Sequence, residues 1–197
     1  MAATGLREKK AARTRQQIVD AALDLFILRG FDQTTMEEIA ERAEIGSSTL
    51  YRYFASKDLV ILEPLMGFTE MGDHLRDRPV AEPLPTALGA AITDSLVGFT
   101  SDDRVAHVRR IVDSSPGPRA KLWDVMMTSR DHLEQVLGER MGLRADDLSV
   151  MLTARTTMMV YELAAEAWWA GEHSRAINDV VAETLSAVQA ATVVMPS

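Results

Sequence analysis

The stretch from Ile45 to Leu59, IGSSTLYRYFASKDL, sets three hydroxyls (Ser47, Ser48, Thr49), two phenols (Tyr51, Tyr53) and two cations (Arg52, Lys57) within eleven positions. No general base stands at a spacing that would turn one of the hydroxyls into a nucleophile. The set can instead donate hydrogen bonds, stack, and neutralise phosphate charge. Ser47, Ser48 and Thr49 can reach base edges or phosphates, and the Tyr51 ring can pack on a thymine methyl. Arg52, Tyr53 and Lys57 have the length to meet flanking phosphates. In a chain of net charge -8 such a cluster implies local rather than general affinity for a polyanion.

Other chemistry is poorly supplied. The four histidines, His74, His107, His132 and His173, are far apart, and no His-x-x-x-His or Glu-x-x-His pair preassembles a metal site on one helix. There is no cysteine, no G-x-S-x-G element and no phosphate loop. Asp102 with Asp103, and Asp146 with Asp147, fall at expected helix starts, where capping explains them. The expectation is a protein without catalytic residues, metal or cofactor. A helical-bundle enzyme is one alternative, and a DNA-architectural protein without a sensor is the other.

The elements that must hold the cluster are helices. TRQQIVDAALDLFILRG places Ile18, Ala22, Leu25 and Phe26 at helical spacing, with Thr14 as cap and Gly30 as stop. FDQTTMEEIAERAE offers Thr34 or Thr35 as cap of a short second helix, with Glu37 and Glu38 in its first turn. In the third, Leu50 and Phe54 turn to one side and leave the hydroxyls, Tyr51 and Arg52 on others. Ile39, Ala40, Ile45 and Leu50 then fill the small core of a helix-turn-helix. Ser56 caps a fourth helix running from Lys57 past Met66. Loops are expected at 78–85 and across SSPGPR, and helices at 86–99, 102–113, 120–141, 146–170 and 175–193. The fold expected is all-α with about nine helices.

Charge divides the same way. Residues 1–15 carry Arg7, Lys9, Lys10, Arg13 and Arg15 against Glu8, and residues 1–60 sum to zero, so the whole excess of acid lies in 61–197. The expected domains are 1–60, a DNA-binding domain with a basic arm that includes Arg13, and 61–197, an acidic body. With no apolar run long enough to span a bilayer, the expected setting is cytoplasmic and no membrane is involved.

TTMEEIAERAEIGSSTLYRYFASKDLV resembles the DNA-binding signature of the tetracycline-repressor (TetR) family, a T-x-x-x-I-A element followed by T-L-Y-x-Y-F-x-S-K-[DE]-x-[LV]. Thr35, Ile39, Ala40, Thr49, Leu50, Tyr51, Tyr53, Phe54, Ser56, Lys57, Asp58 and Leu59 match. The resemblance implies that Thr49 and Lys57 bind phosphates, that Tyr51 approaches bases, and that Thr35 lies at the DNA. Two residues depart from it: Glu44 stands where glycine is common and Gly46 where serine is. If position 44 needs a positive φ, Glu44 strains the turn, and Gly46 caps without a side-chain acceptor.

The resemblance further implies a homodimer on a palindromic double-stranded DNA operator, pairing through the last two helices, with a small-molecule pocket in each body. Ala154, Ala165, Ile177, Val181, Leu185 and Val188 are the expected seam, on helices too apolar to bury only one face. Met66, Phe99, Trp123, Met127, Met158, Tyr161 and Trp168 are the expected pocket lining. Eleven methionines suit an adaptable apolar cavity, hence a hydrophobic or amphipathic effector. VRRIVDSSPGPRAKLWDVM is also similar to bodies of family members that respond to fatty acyl thioesters. A repressor released by its ligand is the expected activity.

Overall fold

The computed structural model describes residues 2–97, 104–170 and 175–192. Among the described residues every regular element is helical: ten α-helices and one 3₁₀ segment. They are α1 (Ala2–Arg29), α2 (Met36–Arg42), α3 (Ser47–Tyr53), α4 (Lys57–Leu62), the 3₁₀ segment Glu63–Glu70, α5 (Met71–Asp77), α6 (Leu84–Val97), α7 (Arg104–Ser114), α8 (Pro116–Met141), α9 (Leu148–Ala170) and α10 (Ile177–Ala190). The helix expected from Lys57 past Met66 is in fact α4, the 3₁₀ segment and α5, which accounts for one element beyond the expected nine. Pro64 explains the break, because it has no N–H to give to the carbonyl four residues back.

Two other boundaries shift for stated reasons. Thr14 does not cap α1; it lies inside the helix and its hydroxyl donates to the Lys10 carbonyl at 3.0 Å. Upstream, the Lys, Arg and Ala residues favour helix by propensity without any apolar repeat to reveal it. The basic arm is therefore helical. At the other site, α8 begins at Pro116 rather than near Ala120, since prolines in a first turn lack only N–H groups that have no intrahelical partner.

The chain forms two compact units, Met1–Met66 with Asp102–Trp123, and Gly67–Ser101 with Asp124–Ser197. In the first, Ile18, Ala22, Leu25 and Phe26 of α1 pack with Ile39, Ala40, Leu50, Phe54, Val60 and Ile61, all buried. Arg104 of α7 meets α1 by ion pairs to Asp20 at 2.8 Å and Asp24 at 3.5 Å.

The second unit packs α5 on α6, and α6, α9 and α10 on one another. Its core includes Leu75, Ala91, Ile92, Leu96, Leu133, Leu137, Ala154 and Ala164. Small residues set close approaches: a side chain on Gly67 would collide with the Ser95 carbonyl, and one on Gly72 with the His132 ring. Arg140 of α8 ties the α5–α6 loop, donating to the carbonyls of Leu75 (3.3 Å), Arg78 (3.2 Å), Pro79 (2.7 Å) and Glu82 (3.1 Å). No described helix is long and apolar enough to cross a membrane.

Candidate nucleic-acid interface

α2 starts with a capping box. The Thr35 Oγ1 accepts from the Glu38 N–H at 3.2 Å while the Thr35 N–H donates to Glu38 Oε2 at 2.9 Å. The Thr35 N–H bond first, and then one from the Thr35 hydroxyl to Glu38 Oε2 at 3.1 Å, hold the Glu38 carboxyl below its ordinary range, with Arg29 at 2.9 Å adding its charge. After α2 the chain turns through Glu44, whose φ is +54. This is the left-handed backbone that the departure from glycine raised. Gly46 then caps α3 with no side-chain bond, as a residue lacking an acceptor must.

α3 is anchored by Leu50 and Phe54, both buried. Arg15 lies 4.5 Å above the Phe54 ring and is paired to Glu63, so this cation of the basic arm is already committed. Its pKa rises, first because of the bond to Glu63. The remaining face of α3 is open. Ser47, Ser48, Tyr51 and Arg52 are exposed, Thr49 and Tyr53 half-buried, and the Arg52 guanidinium stands 5.6 Å from the Tyr53 ring. Arg13 is exposed on α1.

The Tyr51 hydroxyl donates to Glu37 Oε1 at 3.4 Å, which sets the ring from α2. Partial desolvation and then the Glu37 charge raise its pKa. Glu37 was not among the expected site residues. It lies fourteen positions before Tyr51, and no local spacing reveals such a partner.

Lys57 is half-buried at the start of α4. Its Nζ donates to the carbonyls of Phe31 at 2.7 Å and Thr34 at 2.9 Å, with Asp32 O at 3.5 Å, and it sits 4.4 Å from the Phe31 ring centre.

In the remaining set, Met66 and Trp123 belong to the first unit, whereas Met127, Met158, Tyr161 and Trp168 belong to the second. Trp123 is 62% exposed, Met66 and Met127 are half-buried, and Met158, Tyr161 and Trp168 are buried. Phe99 lies outside the described residues. Burial drives the Tyr161 hydroxyl far above the ordinary tyrosine range, and its ring meets Phe68 edge-on at 5.9 Å. None of the described expected lining residues borders the open groove of about 440 Å³ between α9 and α10, which Leu163, Ala167, Thr184, Ala187 and Val188 help to form.

For the seam, Ala154, Ala165 and Val181 are buried within the chain's own second unit, and Ile177, Leu185 and Val188 are half-buried. The small residues that looked suited to a partner let α9 pack closely inside the unit instead. What α9 leaves exposed is Leu148, Leu152, Met159 and Leu163. Their spacing of four, seven and four was readable as a helical stripe; which apolar stripe faces outward was not.

A recognition helix with an open hydroxyl and cation face, pinned behind by two buried anchors and followed by a helical body, defines a helix-turn-helix DNA-binding protein. The chain belongs to the TetR family of transcriptional regulators. Residues 18–63 match the model for bacterial regulatory proteins of the tetR family, and residues 82–192 match the MftR C-terminal domain. It is similar to the HTH-type transcriptional regulator TcmR of Streptomyces glaucescens, 33% identical over 152 residues that cover 73% of this chain and 67% of that one. In fold it is similar to FadR of Bacillus subtilis, solved with stearoyl-CoA (TM-score 0.59, 17% identity, 89% of this chain and 97% of that one). FadR of Thermus thermophilus, a repressor solved with lauroyl-CoA, is another such structure (TM-score 0.53, 22% identity, 93% and 97%).

Proposed function

We propose that a homodimer of this chain represses transcription from a palindromic operator and is released by a hydrophobic or amphipathic ligand, an acyl thioester being the leading class. Residues 1–60 would serve as the DNA-binding domain and 61–197 as the ligand-binding and dimerisation domain, working in the cytoplasm. The observation that carries the reading is the open face of α3 over buried Leu50 and Phe54. Tyr51 approaches bases; Ser47, Ser48 and Thr49 meet base edges or phosphates, and Arg52, Tyr53, Lys57, Thr35 and Arg13 complete the DNA contacts. Two such helices about 34 Å apart would read successive major grooves.

The exposed stripe Leu148, Leu152, Met159 and Leu163 supports pairing through α9 and α10, because large apolar side chains left in water favour a covered state. The acyl-thioester class is supported by the stearoyl-CoA and lauroyl-CoA of the two FadR structures. A ligand that binds best to a conformation with wrongly spaced recognition helices weakens DNA binding by the same factor.

The test is selection of genomic DNA fragments by the purified protein, repeated with long-chain acyl-CoA. Enrichment of a palindrome that acyl-CoA abolishes is the expected result. Absence of any enriched fragment at low salt overturns the specific-regulator reading, and enrichment indifferent to acyl-CoA overturns the ligand class.

A further inference from the structure

We propose that Glu37 determines specificity: with the Tyr51 phenol it presents only hydrogen-bond acceptors to the major groove and so selects an exocyclic amino group, cytosine N4 or adenine N6. This rests on the DNA-binding reading of α3. A phenol has one proton to give and lone pairs with which to receive, and an ionised carboxylate can only receive. The Tyr51 hydroxyl gives its proton to Glu37 Oε1 at 3.4 Å. What is left on both groups for a third partner is acceptor capacity alone. Partial desolvation and then the Glu37 charge raise the phenol's pKa, which keeps that proton in place at neutral pH.

Placement and charge point the same way. Tyr51 is 48% exposed, one turn from exposed Ser47 on α3, and Glu37 is exposed in the first turn of α2. The pair therefore stands on the edge of the recognition face that adjoins α2. Glu38, next in the chain, has the Arg29 guanidinium at 2.9 Å, whereas the partner of Glu37 is an uncharged phenol. A carboxylate beside a polyanion repels phosphate. In the major groove the donors that can offset this are the amino groups of cytosine and adenine; guanine O6 and N7, adenine N7 and thymine O4 accept. Phosphate oxygens also accept. The pair thus matches an amino group and is mismatched to the other polar groups that DNA offers it.

In the experiment, wild type, Glu37→Ala and Tyr51→Phe each select duplexes from a randomised library at fixed salt. Glu37→Ala frees the phenol to donate, and Tyr51→Phe removes its oxygen. Affinities are then measured on the wild-type duplex with single bases replaced. Cytosine is exchanged for its analogue lacking the amino group, adenine for unsubstituted purine, and either purine base for the deaza analogue lacking N7. Both variants are expected to lose preference at one and the same position of each half-site and to keep it elsewhere. At that position, removing the amino group should weaken wild type by roughly 3- to 10-fold, the worth of one hydrogen bond, and the variants far less. The analogue that does so tells cytosine from adenine.

An amino removal that weakens all three proteins alike overturns the proposal. So does a loss confined to the deaza analogue, which would show Tyr51 donating to a base. Tyr51→Phe weakened equally on every duplex, the mark of a phosphate contact, overturns it too, as does Glu37→Ala with wild-type preferences. If wild type selects no duplex at all, the DNA-binding reading itself fails and the proposal falls with it; any of the other adverse results, obtained on a selected duplex, removes the proposal and leaves that reading standing.

Discussion

In the α1–α4 region, specificity is written in polar bonds to single backbone groups: Thr35 and Glu38 at one cap, Thr34 at Gly30, Lys57 at Phe31 and Thr34. From the 3₁₀ segment through α5, α6, α8 and α9, Arg140 apart, it is written largely in size. Gly67 admits the Ser95 carbonyl, Gly72 admits the His132 ring, and Ala154 and Ala164 let helices close. A bond to one backbone atom demands one or two residue types at one position. A space-filling requirement accepts many combinations of small and large residues, so the first region bears a signature and the second does not.

The comparison can be broken by showing that the signature region depends as heavily on packing. Leu50→Ala removes the fully buried anchor of α3 and is expected to cost about 2–5 kcal/mol, read as a lower denaturant midpoint together with loss of DNA binding. A loss of binding without a fall in stability would show that Leu50 acts at the DNA and not as an anchor.

Gly67→Ala tests the other side. Its new Cβ meets backbone, which cannot swing away as a side chain can, and about 1–3 kcal/mol of destabilisation is expected from overpacking. A midpoint equal to wild type would mean that the second region yields easily and that size is not its constraint. Glu44→Gly should sharpen the contrast by removing strain from the first region. With φ at +54, the glycine is expected to raise stability by about 1 kcal/mol, seen as a higher melting temperature, and a fall would show that the Glu44 side chain makes a compensating contact.

The smallest effect concerns acid. Because Glu38 has a folded pKa below its unfolded one, its contribution is present above the unfolded pKa and is lost as pH falls through the folded one. Glu38 is only half-buried, so the loss is modest. Amide exchange at the start of α2 should quicken in acid in wild type and be less pH-dependent in Glu38→Gln. Equal acid responses in the two proteins would remove the capping box as the cause.

These differences also explain what was legible in the sequence. The all-α class, the three-helix unit, the Ser56 cap, the choice of Thr34 or Thr35 as the other, and the trouble at Glu44 and Gly46 followed from local chemistry, where cause and effect lie within a few residues. The start of α1 was hidden because propensity acts without periodicity. Lys57 and Tyr51 were recognisable as functional types, but their partners lie 23 to 26 and 14 residues away, beyond any local pattern. For the body, composition indicated apolar helices, yet which stripe each helix buries depends on neighbours that only the fold supplies. Ala154 and Ala165, expected at the seam, are thus buried within the unit itself, while Leu152 and Leu163 of the same helix are exposed.

If the proposed dimer forms through it, the stripe along α9 has a dosage meaning as well. With a second copy covering Leu148, Leu152, Met159 and Leu163, the species able to grip both half-sites forms in proportion to the square of the free chain concentration. In the dilute limit, halving the supply of chain cuts that species about fourfold by mass action. Growth that dilutes the protein would then lift repression more steeply than the dilution itself, before any ligand enters.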